Sequence, residues 1–161
     1  MKKRELLAGS FFALCIPAAA SAQESQTCAA VTPPQVAALF DRWNASLQTR
    51  NPDEVVKNYA ADAVLLPTVS NKPRTNPEEI RDYFVHFLEK SPKGVINTRT
   101  VHIGCNTAYD AGTYTFTLTG ADGKSTQVPA RYTFVYELKD GKWLIAHHHS
   151  SAMPETAPAA H

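Results

Sequence analysis

Apolar residues recur at helical spacing in three stretches of the first half of the chain. Each stretch follows a capping residue and a proline, at Thr32-Pro33, Asn51-Pro52 and Asn76-Pro77. Such a capping residue accepts a hydrogen bond from a free backbone N–H, and proline is well tolerated at the first helical position. The pattern therefore predicts three helices. They span residues 33–49, 52–59 and 77–90.

The second half of the chain has the composition and turn signals of β-strands. It is rich in Thr, Tyr and Phe, which favour strands, and Asp122-Gly123 and Asp140-Gly141 are hairpin signals. The predicted strands cover residues 63–67, 95–103, 107–119, 128–138 and 142–151. Helices followed by antiparallel strands indicate an α+β fold. We expect three N-terminal helices packed on one face of a strongly curved, mostly antiparallel sheet, with a pocket at its open end.

The first 22 residues have the pattern of a signal peptide. Lys2, Lys3 and Arg4 form a positive start, residues 6–20 are apolar, and Ala20-Ser21-Ala22 matches a cleavage site. An uncleaved membrane anchor is the alternative. We expect cleavage after Ala22, a periplasmic or secreted protein, and no membrane span afterwards. The remaining chain is predicted as an N-terminal segment (23–32), one domain (33–153) and a flexible tail (154–161).

Composition narrows the class of function. The chain has 161 residues, 43% of them hydrophobic, and a formal net charge of +1, which suits one domain with a real core. No run of Lys and Arg follows the leader, so no nucleic-acid partner is expected. The sequence has no nucleophile elbow, phosphate loop or dinucleotide fingerprint, and no cofactor is expected.

Cysteine usage predicts one disulfide. Cys15 lies in the predicted leader, so the exported chain keeps Cys28 and Cys105. Two cysteines in an oxidising compartment favour an intramolecular bond. Two free thiols or an intermolecular bond are the alternatives.

Two stretches carry a family resemblance. The sequence YAADAV at residues 59–64 and the sequence DGKWLIAHHHSS at residues 140–151 resemble signatures of the nuclear transport factor 2-like (cystatin-like) superfamily. Within it the chain is most similar to the calcium/calmodulin-dependent protein kinase II association domain and to SnoaL-like bacterial proteins. The resemblance covers roughly residues 34–153. It implies a cone-like fold, homodimers or higher homo-oligomers built through the sheet, and a pocket between helices and sheet.

The closing strand holds the candidate catalytic residues. Strict alternation puts the odd-numbered side chains, Trp143 to Ser151, on the pocket face and His148 and Ser150 on the other. In the families that the chain resembles, the positions of His147 and His149 line the cavity, so both are candidate proton-transfer groups. Two buried histidines with structural partners are the alternative. An H-x-H metal pair lacks a visible third ligand, and no metal is expected.

Candidate ligand-binding residues come from the arginines and two aromatic side chains. A guanidinium in a pocket suits an anion, and a surface position or an ion pair is the alternative for each arginine. Tyr83 is expected at the core or the pocket rim, and Trp143 beside the two histidines. The candidates are Arg74, Tyr83, Arg99, Arg131 and Trp143.

Two functional hypotheses follow. The first is an exported, oligomeric association domain that binds a small organic or anionic ligand, with no demonstrable catalytic set. The alternative is a cofactor-free enzyme of the cyclase, isomerase or dehydratase type, or one of the relatives labelled oxidoreductase, using the pocket histidines. Because no kinase domain accompanies it, the association-domain resemblance predicts assembly and no phosphotransfer.

Overall fold

The computed structural model describes residues 27–155, which form three helices and one five-stranded sheet. The helices are α1 (Pro33–Gln48), α2 (Pro52–Val56) and α3 (Pro77–Phe87), the last continued by a 3₁₀ turn (Leu88–Lys90). The strands are β1 (Tyr59–Leu66), β2 (Lys93–Ile103), β3 (Thr107–Thr119), β4 (Ser125–Lys139) and β5 (Lys142–Ala152). None of the helices in residues 27–155 is long and apolar enough to cross a membrane.

The three helix starts form as the capping residues predict. The Asn51 side chain accepts a hydrogen bond from the backbone N–H of Asp53 at 3.0 Å, and Asn76 accepts one from Glu79 at 2.9 Å. At the first helix, the Gln35 side chain accepts the backbone N–H of Thr32 at 2.8 Å. The predicted end of α2 is wrong, because the chain enters β1 at Tyr59.

The strands form a mostly antiparallel sheet in the order β1-β5-β4-β3-β2. Only β1 runs parallel to its neighbour, β5. The helices pack on one face of this sheet, here called the inner face, and the opposite face is called the outer face. The largest buried side chains between helices and sheet are aromatic: Trp43, Tyr114, Tyr136, Phe40, Phe84 and Phe134. The expected α+β cone is confirmed.

The predicted disulfide between Cys28 and Cys105 is confirmed. It ties the segment before α1 to the turn between β2 and β3. The turn residue Asn106 also accepts the backbone N–H of Ala29 at 2.8 Å, so two kinds of bond hold the segment there. The predicted leader, residues 1–22, lies outside the described residues, as do residues 156–161 of the predicted tail.

A bulge in β5 changes which side chains face the helices. Ile145 pairs with Tyr136, whereas the next residue of β4, Val135, pairs with His147. Ala146 is therefore an extra residue, and a β-bulge of this kind shifts the alternation by one position. As a result Ile145 and His148 are both buried on the inner face.

Candidate functional site

A small cavity lies between α3 and the inner face of the sheet. Its volume is about 20 Å³, room for roughly one water molecule. Its walls are aromatic and aliphatic except for hydroxyl groups and one imidazole. The lining residues are Trp43, Leu65, Pro67, Thr68, Tyr83, Phe84, Phe87, Tyr114, Phe116, His148 and Ser150.

His148 is the most unusual of these residues, because an imidazole with 3% of its surface exposed lies in an aromatic core. Its ring stacks on Phe134 at 4.0 Å between centroids and meets Trp43 edge-on at 5.2 Å. Its Nδ1 is 2.9 Å from the hydroxyl of Tyr59, and that hydroxyl accepts the indole N–H of Trp43 at 3.1 Å. Its Nε2 has no hydrogen-bond partner within residues 27–155.

Burial keeps this imidazole neutral. Desolvation, together with a smaller contribution from repulsion by the neighbouring His147 and His149, lowers the pKa of His148 from 6.5 to about 3. His148 is therefore uncharged at neutral pH, so it acts there as a neutral donor and acceptor of hydrogen bonds.

A second set of polar groups also lines the cavity. The Tyr114 hydroxyl donates to Ser150 Oγ at 2.5 Å, and Ser150 is hydrogen-bonded in turn to the hydroxyl of Thr68. Burial raises the pKa of Tyr114, so its phenol stays protonated at neutral pH. The polar groups of the cavity thus come from the loop that follows β1, from β3 and from β5.

A larger space lies next to this inner cavity, nearer the surface but on the same, helix-covered side of the sheet. It is here called the outer space. It has a volume of about 310 Å³ and is bordered by Arg74 and by the segment from Val69 to Ser70. Tyr83 and Phe87 line both spaces and stack on each other at 5.5 Å between centroids. The expected place of Tyr83 at the rim of the cavity is therefore what the structure has.

Arg74 borders the outer space, and its guanidinium is already paired. Its Nη1 lies 3.0 Å from the Asp82 carboxylate, while its side chain is 13% exposed. Its Nε is buried without a hydrogen-bond partner among the described residues. Of the three candidate arginines, this one alone lines either of the two adjoining spaces.

Arg99 belongs to a different buried cluster. Its Nε is 3.0 Å from the carboxylate of Asp110, which is 0% exposed, and its guanidinium lies 5.7 Å from the Phe40 ring centroid. The Tyr132 hydroxyl donates to the same carboxylate at 2.8 Å. Burial raises the pKa of Asp110 even though the arginine and the tyrosine both act to lower it. An ion pair, the alternative that the sequence left open, is thus the finding for Arg99.

The expected pocket face of β5 is wrong. Because of the bulge at Ala146, His147 and His149 lie on the outer face, where they pair across the ladder with Val135 and Thr133 of β4. His149 is exposed and lines an outer groove, and neither histidine lines the inner cavity. A mechanism that places both imidazoles inside the cone loses its structural basis.

Two further candidates also lie away from the inner cavity. Arg131 is exposed in the outer groove, and its Nε donates to Ser151 Oγ at 3.2 Å. Trp143 packs against the edge of the core, and its backbone carbonyl accepts a hydrogen bond from Arg42 at 2.7 Å. The sequence points to Arg131 because a guanidinium suits an anion, and to Trp143 because strict alternation puts it on the same face as the two histidines.

The sequence interpretation missed the polar groups that do line or support the cavity. These are Thr68, Tyr114, His148 and Ser150. One signal was available, because three consecutive histidines in a half-buried strand place at least one imidazole on the inner face in either register.

Fold and cavity together define the class of protein. Helices on one face of a curved five-stranded sheet, with a cavity between them, are the architecture of nuclear transport factor 2-like proteins with a cystatin-like fold. A Streptomyces avermitilis protein of that family, named as a dehydratase, matches with a TM-score of 0.69 at 11% identity, covering 76% of this chain and 97% of its own. At that identity the match bears on the fold alone.

The family follows from the match to the calcium/calmodulin dependent protein kinase II association domain, which spans residues 33–154. This chain belongs to that family. A Xanthomonas campestris protein described by the same domain name is 57% identical, covers 83% of this chain and 100% of its own, and has a TM-score of 0.75. The association domain of the Caenorhabditis elegans kinase is 15% identical, covers 73% of this chain and 93% of its own, and has a TM-score of 0.62.

Proposed function

We propose that this protein is an exported self-association domain that forms homo-oligomers through the outer face of its sheet and holds a small ligand inside the cone. Membership of the association-domain family supports assembly as its main role. The signal-peptide pattern of residues 1–22 supports a periplasmic or secreted location.

The observation that carries the assembly proposal is the uncovered outer face of β4 and β5. Helices α1 and α3 pack on the inner face, and in the described part of the chain no helix covers the other side. The proposed association surface consists of the outward side chains of two paired strands: Arg131, Thr133, Val135, His147 and His149. In a symmetric dimer the same surface of both copies meets across a two-fold axis.

Light scattering on the purified protein tests the proposal. We expect a mass of at least two chains. Thr133→Lys adds a charge near the centre of the association surface, so two copies would bring like charges together and the mass should fall. Ala38→Lys is the matched control, since Ala38 is exposed on α1, and it should leave the mass unchanged. A monomer at all concentrations, or equal effects of both variants, would contradict assembly through this face.

A further inference from the structure

We propose that His148 presents a fixed Nε2–H donor to the inner cavity and that the cavity takes the carbonyl oxygen of a small neutral molecule. The inference rests on the proposed ligand-holding role and gives the chemical class of the ligand. It is argued from the hydrogen-bond chain, the lining residues and the two adjoining spaces.

The tautomer of His148 follows from counting hydrogens. Tyr59 has one hydroxyl hydrogen, and its oxygen already accepts the indole N–H of Trp43. If that hydrogen goes to His148 Nδ1, the chain Trp43→Tyr59→His148 is satisfied and the ring proton lies on Nε2. The opposite tautomer would leave both the tyrosine hydrogen and the Nε2 lone pair unpaired in the core, which costs more. The first arrangement leaves one unused group, the Nε2–H.

A second donor is available among the other residues that line the cavity. Tyr114 donates to Ser150, and Ser150 and Thr68 share a hydrogen bond. Three hydroxyl hydrogens thus serve two hydrogen bonds, so one hydrogen of the Ser150–Thr68 pair is left to donate. A carbonyl oxygen has two lone pairs and can accept from two donors.

The lining residues favour a neutral ligand over an anion. None of the residues that line the cavity carries a charge at neutral pH, since its imidazole is neutral. A carboxylate there would be desolvated without a countercharge, which is costly. Arg74 lines only the outer space, where Asp82 already neutralises it.

The two spaces set the size of the ligand. The inner cavity, at about 20 Å³, accepts one oxygen-bearing group, and the outer space of about 310 Å³ can take the body of a small aromatic or alicyclic molecule. Tyr83 and Phe87 separate the two spaces, so their side chains must rotate when such a molecule enters.

The test uses three probes of similar shape: acetophenone, benzoate and toluene. Each is titrated into the folded protein labelled with ¹⁵N-histidine, and ring nitrogen spectra report the protonated nitrogen of His148 and its shift on binding. We expect the proton on Nε2 and binding of acetophenone with a shift of that signal. Toluene should bind about tenfold more weakly, as one lost hydrogen bond predicts. Benzoate should also bind more weakly, because its charge would be desolvated without a countercharge.

Variants separate the donor from the shape of the cavity. His148→Phe should weaken the binding of acetophenone about tenfold. Tyr59→Phe removes the hydroxyl that fixes the proton of His148 on Nε2, so it should weaken binding as well. His102→Phe is the matched control, since His102 is exposed and stacks on Tyr109 at the β2 edge of the sheet, and it should bind normally. Spectra of the unaltered protein give the tautomer even where a variant fails to fold.

Several results would overturn the inference. These are a ring proton on Nδ1 of His148, equal affinities for toluene and acetophenone, or a higher affinity for benzoate than for acetophenone. Failure of all three probes to bind would also overturn it, and would leave water as the occupant of the cavity. Light scattering reports assembly independently, so an oligomer that binds no probe refutes the ligand class alone, and a monomer that binds acetophenone refutes the assembly proposal alone.

Discussion

Acid should destabilise this protein through His148. Burial lowers the pKa of this imidazole from 6.5 to about 3 in the folded state. Between those two values the unfolded chain binds a proton that the folded chain does not. Lowering the pH therefore favours unfolding, and the stability contributed by the neutral buried imidazole is complete above the unfolded pKa and is lost progressively below it.

The expected size follows from that shift. Each unit of pH between the two pKa values is worth about 1.4 kcal/mol, so lowering the pH from 6.5 to 5 should cost about 2 kcal/mol of unfolding free energy. The groups that face the ring do not compensate, since Tyr59 on β1 and Tyr114 on β3 have pKa values raised by burial and stay neutral. The adjacent His147 also has a lowered pKa and adds to the loss in the same direction.

Urea denaturation at a series of pH values from 7.5 to 5 measures the effect. The exposed Asp53 and Asp62 and the half-buried Glu79 have pKa values lowered from 3.8, 3.8 and 4.5 by their lysine or arginine partners, so they titrate below this window. His148→Phe should remove most of the pH dependence, although it also removes the hydrogen bond to Tyr59. His102→Phe should keep the full dependence.

The pH dependence of the unfolding free energy, compared between the unaltered protein and His148→Phe, tests whether His148 is the titrating group. If the unaltered protein and His148→Phe lose the same unfolding free energy between pH 6.5 and 5, the buried imidazole is not the titrating group. The neutral state on which the ligand inference also depends would then be wrong.

Three further predictions concern the disulfide, the buried Asp110 and the export of the protein. Replacing Cys28 and Cys105 by alanine should lower the unfolding free energy, measured in urea, by about 3 kcal/mol. Loop-closure entropy for a separation of 77 residues gives ~4.5 kcal/mol, and the loss should be smaller because the freed segment also gains motion in the folded state. Unchanged stability would refute this prediction. Asp110→Ala should cost about 3 kcal/mol of unfolding free energy in thermal melting, because it leaves the half-buried Arg99 and the buried Tyr132 hydroxyl without the carboxylate that they share; Asp110→Asn should cost less. Expression in a bacterial host should yield periplasmic protein cleaved after Ala22 by mass spectrometry, and an intact leader would contradict export.

Local signals were enough for most of the fold. The Thr-Pro and Asn-Pro pairs identified every helix start, because capping and proline geometry depend on neighbouring residues alone. Strand positions followed from composition and the two Asp-Gly turns, at which Gly123 and Gly141 have positive φ angles of 76° and 74°. The end of α2 was misplaced because the pairing of Tyr59 with Ile145 is a long-range contact that overrides helical pattern.

The site was harder to predict because it depends on one residue of register. Nothing in the run from Leu144 to His148 marks Ala146 as an extra residue, since alanine suits either face of a strand. Asp110 was missed for a related reason, because an acidic residue within a strand rich in threonine and tyrosine gives no sign that it is buried beside an arginine. Both features are set by contacts between strands distant in sequence.

The bulge also explains why the core holds one imidazole and not two. In strict alternation His147 and His149 would both turn toward Trp43 and Phe134, and each would need its own buried hydrogen-bond partners. The observed register buries His148 alone, and Tyr59 is there to pair with its Nδ1. The proposed ligand binding and the proposed self-association then use opposite faces of the same strand. A substitution on the outer face should therefore disturb assembly without changing the cavity, and His148→Phe should do the reverse.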